Sequence, residues 1–264
     1  MSFNFEKLKN LSPEQQASFK GATTKIVCES FVLTGDRDYL TARFAFFQKQ
    51  PHLFLWSASQ AIEKYLKANI ILFKKEKISR NHKLRTLFSS LEKSYPDRII
   101  LQLTVPRDLS EQGVTYWPEI TTEDFLLRLE KIGSPDVRYN QIKLEDTLQD
   151  LVLLDRMAFS LRAGLINEPV QACRNVGRQI SNCFLDFNYP FAPADHPHPS
   201  VEGITLVHHS VSTLEAALNG CYGNASLYKE WAIQHLALSP GTLDRLLKST
   251  TPAPRGGPHD SRQT

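Results

Sequence analysis

The side chains best suited to chemistry gather around His82. An imidazole titrates near neutral pH and can give or take a proton. Arg80 precedes it and Arg85 follows it closely, and a guanidinium can hold a phosphate through two hydrogen bonds. Lys64, Lys67, Lys74, Lys75, Lys77 and Lys83 extend the same stretch into a strip of one sign. Neutralising several phosphates with such a strip would give salt-dependent nucleic-acid binding. His82 with Arg80 could also cleave RNA, with the ribose 2′-OH attacking, His82 taking its proton and the arginine steadying the phosphorane. Plainer roles stand beside these: His82 can fix the turn that starts the next helix, and the lysines can form a solvated face. Phe73 and Phe88 interleave with the cations but fall on apolar faces, which makes them core residues and not stacking platforms.

Other constellations are weaker. Cys173, Cys183, His196, His198, His208, His209 and Cys221 have zinc-ligand chemistry, yet their spacings match no compact zinc pattern. No glycine-rich loop of the P-loop or Rossmann kind is present, so no metal and no cofactor is expected. The net charge of +3 comes from 31 basic and 28 acidic side chains, so any nucleic-acid site must be a local patch. The four cysteines form no Cys-x-x-Cys pair and read as reduced thiols in a cytoplasmic protein. The start, Met1-Ser2-Phe3-Asn4-Phe5-Glu6-Lys7, lacks the apolar run of a secretory signal, and no uncharged stretch reaches membrane-spanning length.

The elements that must position these groups read as helices. Ser12-Pro13-Glu14-Gln15 is a capping box with proline in the first turn. Gly35-Asp36 reads as the end of one helix and the cap of the next, which holds Tyr39, Leu40, Arg43, Phe44 and Phe47. Pro51 starts a long helix. Leu55, Ala58, Ile62, Tyr65, Leu66, Asn69 and Phe73 share one face of it, and Glu63 and Lys67 stand one turn apart as a surface pair. The run from Lys74 to Lys77 closes this helix with positive charge.

His82 to Lys93 makes a short helix with Leu84, Leu87, Phe88 and Leu91 inside. Thr121 caps another, and Gly133-Ser134-Pro135 ends it. Leu144 to Leu161 is apolar nearly all round through Leu151-Val152-Leu153-Leu154, as a helix at the centre of a bundle would be. Val170 to Phe184 could be helical, and prolines then break the chain through Gly203. Short helices are predicted from Ser212 to Gly220, over Ala225 to Leu238, and from Ser239 to Lys248. The only strand candidates are Ile99 to Val105 and Gly203 to Val207. The expected fold class is therefore all-α.

The pattern Tyr39…Ala42-Arg43, then Ser57-Ala58-Ser59-Gln60-Ala61-Ile62-Glu63-Lys64-Tyr65-Leu66-Lys67-Ala68, then His82-Lys83-Leu84…Leu87, then Val137-Arg138-Tyr139 resembles a HEPN domain (higher eukaryotes and prokaryotes nucleotide-binding). The resemblance implies a HEPN-like bundle of four to five helices over residues 35–164, commonly dimeric. It would follow an N-terminal helical lead-in over 1–34 and precede a helical extension with a Pro-rich loop over 165–248. A disordered tail would span 249–264. It implies binding of nucleotide or RNA, and a place in a prokaryotic stress, toxin–antitoxin or anti-phage module. A nucleotidyltransferase or other defence protein would be the partner in such a module. Arg138 and Tyr139 would lie near the dimer cleft, where tyrosine can stack a base and arginine can fork a phosphate, unless the ring packs between helices. Many members are metal-independent RNases marked by an arginine followed, after four to six residues, by histidine. That spacing is absent from the bundle: Arg80 lies two positions before His82, and Arg255 lies four before His259 in the tail. The resemblance thus supports binding more than catalysis. A diverged RNase using His82 with Arg80, or Arg138 across a dimer, is one alternative, and a non-catalytic dimerisation scaffold is another.

Overall fold

The structure, a computed structural model, describes residues 6–74, 82–93, 102–103, 120–132, 148–163, 165, 213–236 and 238–249. A short α1 (Glu6–Lys9) precedes α2 (Pro13–Val27). The capping box forms as the sequence requires: Ser12 Oγ accepts from Gln15 N at 3.2 Å, and Gln15 Oε1 accepts from Ser12 N at 3.0 Å. The chain then runs through a π-helical turn, Cys28–Val32, into α3 (Leu33–Phe47) without a break.

That continuity corrects the reading of Gly35-Asp36 as a helix boundary. Both residues are buried inside α3, because the Asp36 carboxylate is engaged by side chains from other helices and not by a local backbone N–H. Gly35 serves packing: a Cβ there would lie 3.0 Å from Tyr65 Cε1, so glycine lets the ring pass this close without displacement.

Lys49, at a positive φ of 57°, turns the chain, and Pro51 opens α4 (Pro51–Asn69), which a second π-helical turn, Ile70–Lys74, extends. The predicted apolar face of α4 is buried, but so are Ser57, Ser59, Glu63 and Lys67 around it. The reason is that α3, α5 (Leu84–Glu92), α6 (Thr122–Ile132) and α7 (Leu148–Ala163) all pack on α4. Glu63 and Lys67 do pair, yet as buried partners and not on the surface.

The predicted inner side of α5, Leu84, Leu87, Phe88 and Leu91, is buried. Thr121 caps α6, its Oγ1 accepting from Asp124 N at 3.1 Å. β1 (Gln102–Leu103) falls within the first strand candidate and pairs antiparallel with β2 (Ile120–Thr121), which neither candidate covers; the second candidate lies outside the described residues. The other described elements are all helices, so the fold is all-α. After α7 come α8 (Thr213–Leu218), which Gly220 stops at φ 80°, then α9 (Ala225–His235) and α10 (Pro240–Ser249). Glu29 holds the start of α8, accepting from Thr213 N at 2.9 Å and Thr213 Oγ1 at 2.6 Å, while Phe19 and Tyr228 stack with centroids 4.8 Å apart. The expected helix at 170–184, the Pro-rich loop and the tail lie outside the described residues.

Charge is buried where α3 meets α7. Arg162 grips Asp36 through Nε and Nη2 at 3.0 and 3.3 Å, and Tyr65 Oη donates to Asp36 at 2.8 Å. Seven residues along each helix, Arg43 and Tyr39 Oη both donate to Asp155. The crossed order of partners makes α3 and α7 antiparallel. Asn69 adds a tie from α4 by donating to the Leu161 carbonyl at 3.1 Å. Breaking one buried pair strands the other charge, so Asp36→Ala is expected to cost about 3–5 kcal/mol in denaturant unfolding, and adding Arg162→Met is expected to recover most of it.

Burial, reinforced by Asp155 and Asp36 respectively, pushes the Tyr39 and Tyr65 hydroxyls well above their ordinary range. The fold thus favours the neutral phenols. Their contribution to stability is complete below the unfolded value of about 10 and declines as pH rises past it. An alkaline titration followed by phenolate absorbance is expected to show two tyrosines that ionise only when the protein unfolds.

Candidate functional site

His82 stands just before α5, and packing of the apolar face of α5 on α4 carries it to Glu63. Its side chain is 78% exposed, and Nδ1 lies 2.9 Å from Glu63 Oε1. The same carboxylate oxygen accepts from Lys67 Nζ at 2.5 Å. Because a carboxylate only accepts, Nδ1 must be the donor. In the neutral imidazole that leaves Nε2 as the basic nitrogen. A carboxylate held in the bundle thus orients an imidazole at its surface.

The other predicted site residues have separate fates. Lys64 is held by Asp38 across the α3–α4 contact, and burial raises the Asp38 carboxyl against the opposing effect of Lys64. Lys67 is buried against Glu63, so it is a structural cation as well as a member of the basic strip. Arg85 meets Glu130 of α6, which accepts from Arg85 N at 2.8 Å and Arg85 Nε at 3.2 Å. The Lys74 backbone ends the second π-helical turn. Its side chain, and Lys75, Lys77, Arg80, Arg138 and Tyr139, lie outside the described residues. Phe88 is core, as expected, and Phe73 is half-buried against the core.

The outer face of α5 forms a cleft of about 600 Å³, lined by Lys83, Arg85, Thr86, Ser89, Ser90, Lys93 and Glu130. Three cations face one carboxylate there, and three hydroxyls supply further donors. Arg85 uses its backbone N and Nε on Glu130, and among the described residues both terminal NH2 groups of the guanidinium remain to fork an anion. Lys93 and the hydroxyls were missed as site residues, although helical spacing gave the signal: they occupy the face opposite Leu84, Leu87, Phe88 and Leu91. Glu130 could not be found that way, because α6 reaches this cleft only in the folded chain.

The fold is an all-α bundle, and residues 29–115 match the family model of the HEPN domain. This segment runs from the first π-helical turn through α3, α4 and α5, and it contains His82, Glu63 and Arg85. At family level the match connects it with nucleotide- or RNA-related function. No curated protein and no solved structure matches the chain.

Among the described residues no helix is long and apolar enough to cross a membrane, and no three His, Cys, Asp or Glu side chains are placed to hold a metal ion. Of the Cys/His set in the extension, Cys221 is described and exposed, and the other six lie outside the described residues.

Glu63 has a structural duty to Lys67 as well as an orienting one to His82. Glu63→Ala is expected to lower stability by about 2–4 kcal/mol, because Lys67 is left buried without its anion. Lys7→Ala, which breaks the solvent-exposed pair with Glu230, is expected to change stability by less than about 1 kcal/mol. Thermal unfolding of the two variants beside wild type checks the contrast.

Proposed function

We propose that this protein binds nucleotide or RNA phosphates along the outer face of α5, as a HEPN-like, dimeric component of a prokaryotic stress or defence module. The observation that carries the reading is the cleft of about 600 Å³ in which Lys83, Arg85 and Lys93 stand with three hydroxyls and one carboxylate, Glu130. Phosphate oxygens are acceptors that need both charge and donors, and this face offers both. Lys74, Lys75, Lys77 and Arg80 precede α5 in the chain and would extend the contact along a strand. Arg138 and Tyr139 would add a phosphate fork and a base stack from near a dimer cleft. The module would supply the partner, a nucleotidyltransferase or another defence protein.

A second reading is catalytic, and the contact between His82 and Glu63 favours it. A carboxylate that fixes the imidazole tautomer makes Nε2 a general base, and Arg80 or Arg85 would steady the phosphorane during attack by a ribose 2′-OH.

One metal-free experiment addresses both readings: binding and cleavage of labelled single-stranded RNA by wild type, by Lys83→Glu/Arg85→Glu/Lys93→Glu, and by His82→Ala. The binding reading expects the triple variant to lose at least tenfold in affinity and to flatten the salt dependence by about two to three phosphates. Unchanged affinity in that variant overturns it. The catalytic reading expects cleavage by wild type that His82→Ala abolishes, and cleavage that survives the substitution removes His82 from the reaction.

A further inference from the structure

A second recess lies where the first turns of α2 meet the segment between α8 and α9. It encloses about 350 Å³, within the range of small-molecule sites. Its chemistry is the reverse of the α5 cleft. Phe19, Tyr222 and Tyr228 supply three aromatic rings, the first and last of them buried, Glu14 supplies a carboxylate, and no Lys, Arg or His is among the described residues that line it. Tyr222 is 40% exposed, and its ring centroid lies 6.4 Å from that of Tyr228, which in turn stacks on Phe19. Burial first, and then neighbouring Tyr222, push the Tyr228 hydroxyl up to about 12, so the recess gains no phenolate charge at neutral pH.

Gln15 of this recess is spent in the capping box, but two other polar groups here have little internal work. Glu14 makes no ion pair or side-chain hydrogen bond among the described residues. Asn224 stands at the start of α9 but does not cap it with its side chain, and its φ of 47° is uncommon for a residue with a Cβ. Gly220 and Gly223, also at positive φ, shape the same turn. The turn thereby sets Tyr222 and Asn224 opposite Glu14 and Ser18 instead of closing the helix end.

An exposed tyrosine ring beside a carboxylate that has no ion pair among the described residues attracts a positive charge whose hydration is weak. The same surroundings repel phosphate and give a neutral solute no electrostatic advantage. We propose that this recess is a binding site for a small organic cation of the alkylammonium class, held by the exposed ring of Tyr222 and paired with Glu14. The site is independent of the α5 cleft and of the RNA-binding reading.

The test uses the full chain and tetramethylammonium chloride as probe. Binding is followed by calorimetry and by the ring resonances of Tyr222 at constant ionic strength in potassium chloride. Saturable binding with a shift of Tyr222 is expected. Glu14→Gln keeps the shape and removes the charge, and it is expected to weaken binding at least fivefold; Tyr222→Leu is expected to do the same. Both residues are exposed, so circular dichroism and melting are expected to match wild type, which separates lost binding from lost folding. Tert-butanol, a neutral molecule of similar bulk, and inorganic phosphate are expected not to compete. Absence of saturation, wild-type affinity in Glu14→Gln, or equal binding of tert-butanol overturns the proposal.

Discussion

Two buried carboxylate–guanidinium pairs between α3 and α7 constrain everything else in the bundle. Asp36 meets Arg162, and Asp155 meets Arg43, with a tyrosine hydroxyl on each carboxylate. Hydrophobic contact alone tolerates a helix sliding by a turn, since one leucine replaces another at little cost. A buried charge does not tolerate it. A slide of one turn, or reversal of α7, would leave two carboxylates and two guanidinium groups in the interior without partners, at several kcal/mol each. The pairs therefore act as a register lock on helices whose apolar surfaces specify position only loosely, as the nearly all-round apolar middle of α7 illustrates.

The lock has consequences for α4. Tyr65 reaches Asp36 only because Gly35 lets its ring pass, and Asn69 reaches the Leu161 carbonyl only because α7 lies where the ion pairs hold it. With its rotation settled at both levels, α4 directs Glu63 toward the start of α5 and Lys64 toward Asp38. One carboxylate then has two tasks, neutralising Lys67 in the interior and orienting His82 at the surface. The packing of α5 on α4 is what turns Lys83, Arg85 and Lys93 outward together. The surface electrostatics follow from core geometry: a cationic, hydroxyl-rich face on α5, and an aromatic recess with an acid where α2 meets the turn before α9.

The match over residues 29–115 covers the helices that carry this arrangement but stops short of α6 and α7. The partners that complete the network, Asp155 and Arg162, come from beyond it, as does Glu130 in the α5 cleft. The segment that matches the family model is thus held in shape by a helix beyond the matched residues.

Much of this was legible in the amino-acid order, because it depends on neighbours a few residues apart. The capping box at Ser12, the proline start at Pro51, the inner face of α5, the Thr121 cap and the glycine stop at Gly220 are short-range effects. His82 and Arg85 stood out by residue type, and the long helix carried the family likeness. What misled was residue chemistry with two possible uses. Gly-Asp is a helix boundary when the aspartate caps a backbone and a packing site when it meets an arginine from far along the chain. A lysine near a glutamate is a surface pair unless other helices cover both. Asp36-Arg37…Arg43 and Asp155-Arg156…Arg162 share one spacing, so each helix carries an acid and a base two turns apart. The sequence by itself determined where the helices lie and which charges each one holds. Only the tertiary structure decided which charge neutralises which, because that depends on the distance between side chains more than a hundred residues apart, and on water being excluded from between them.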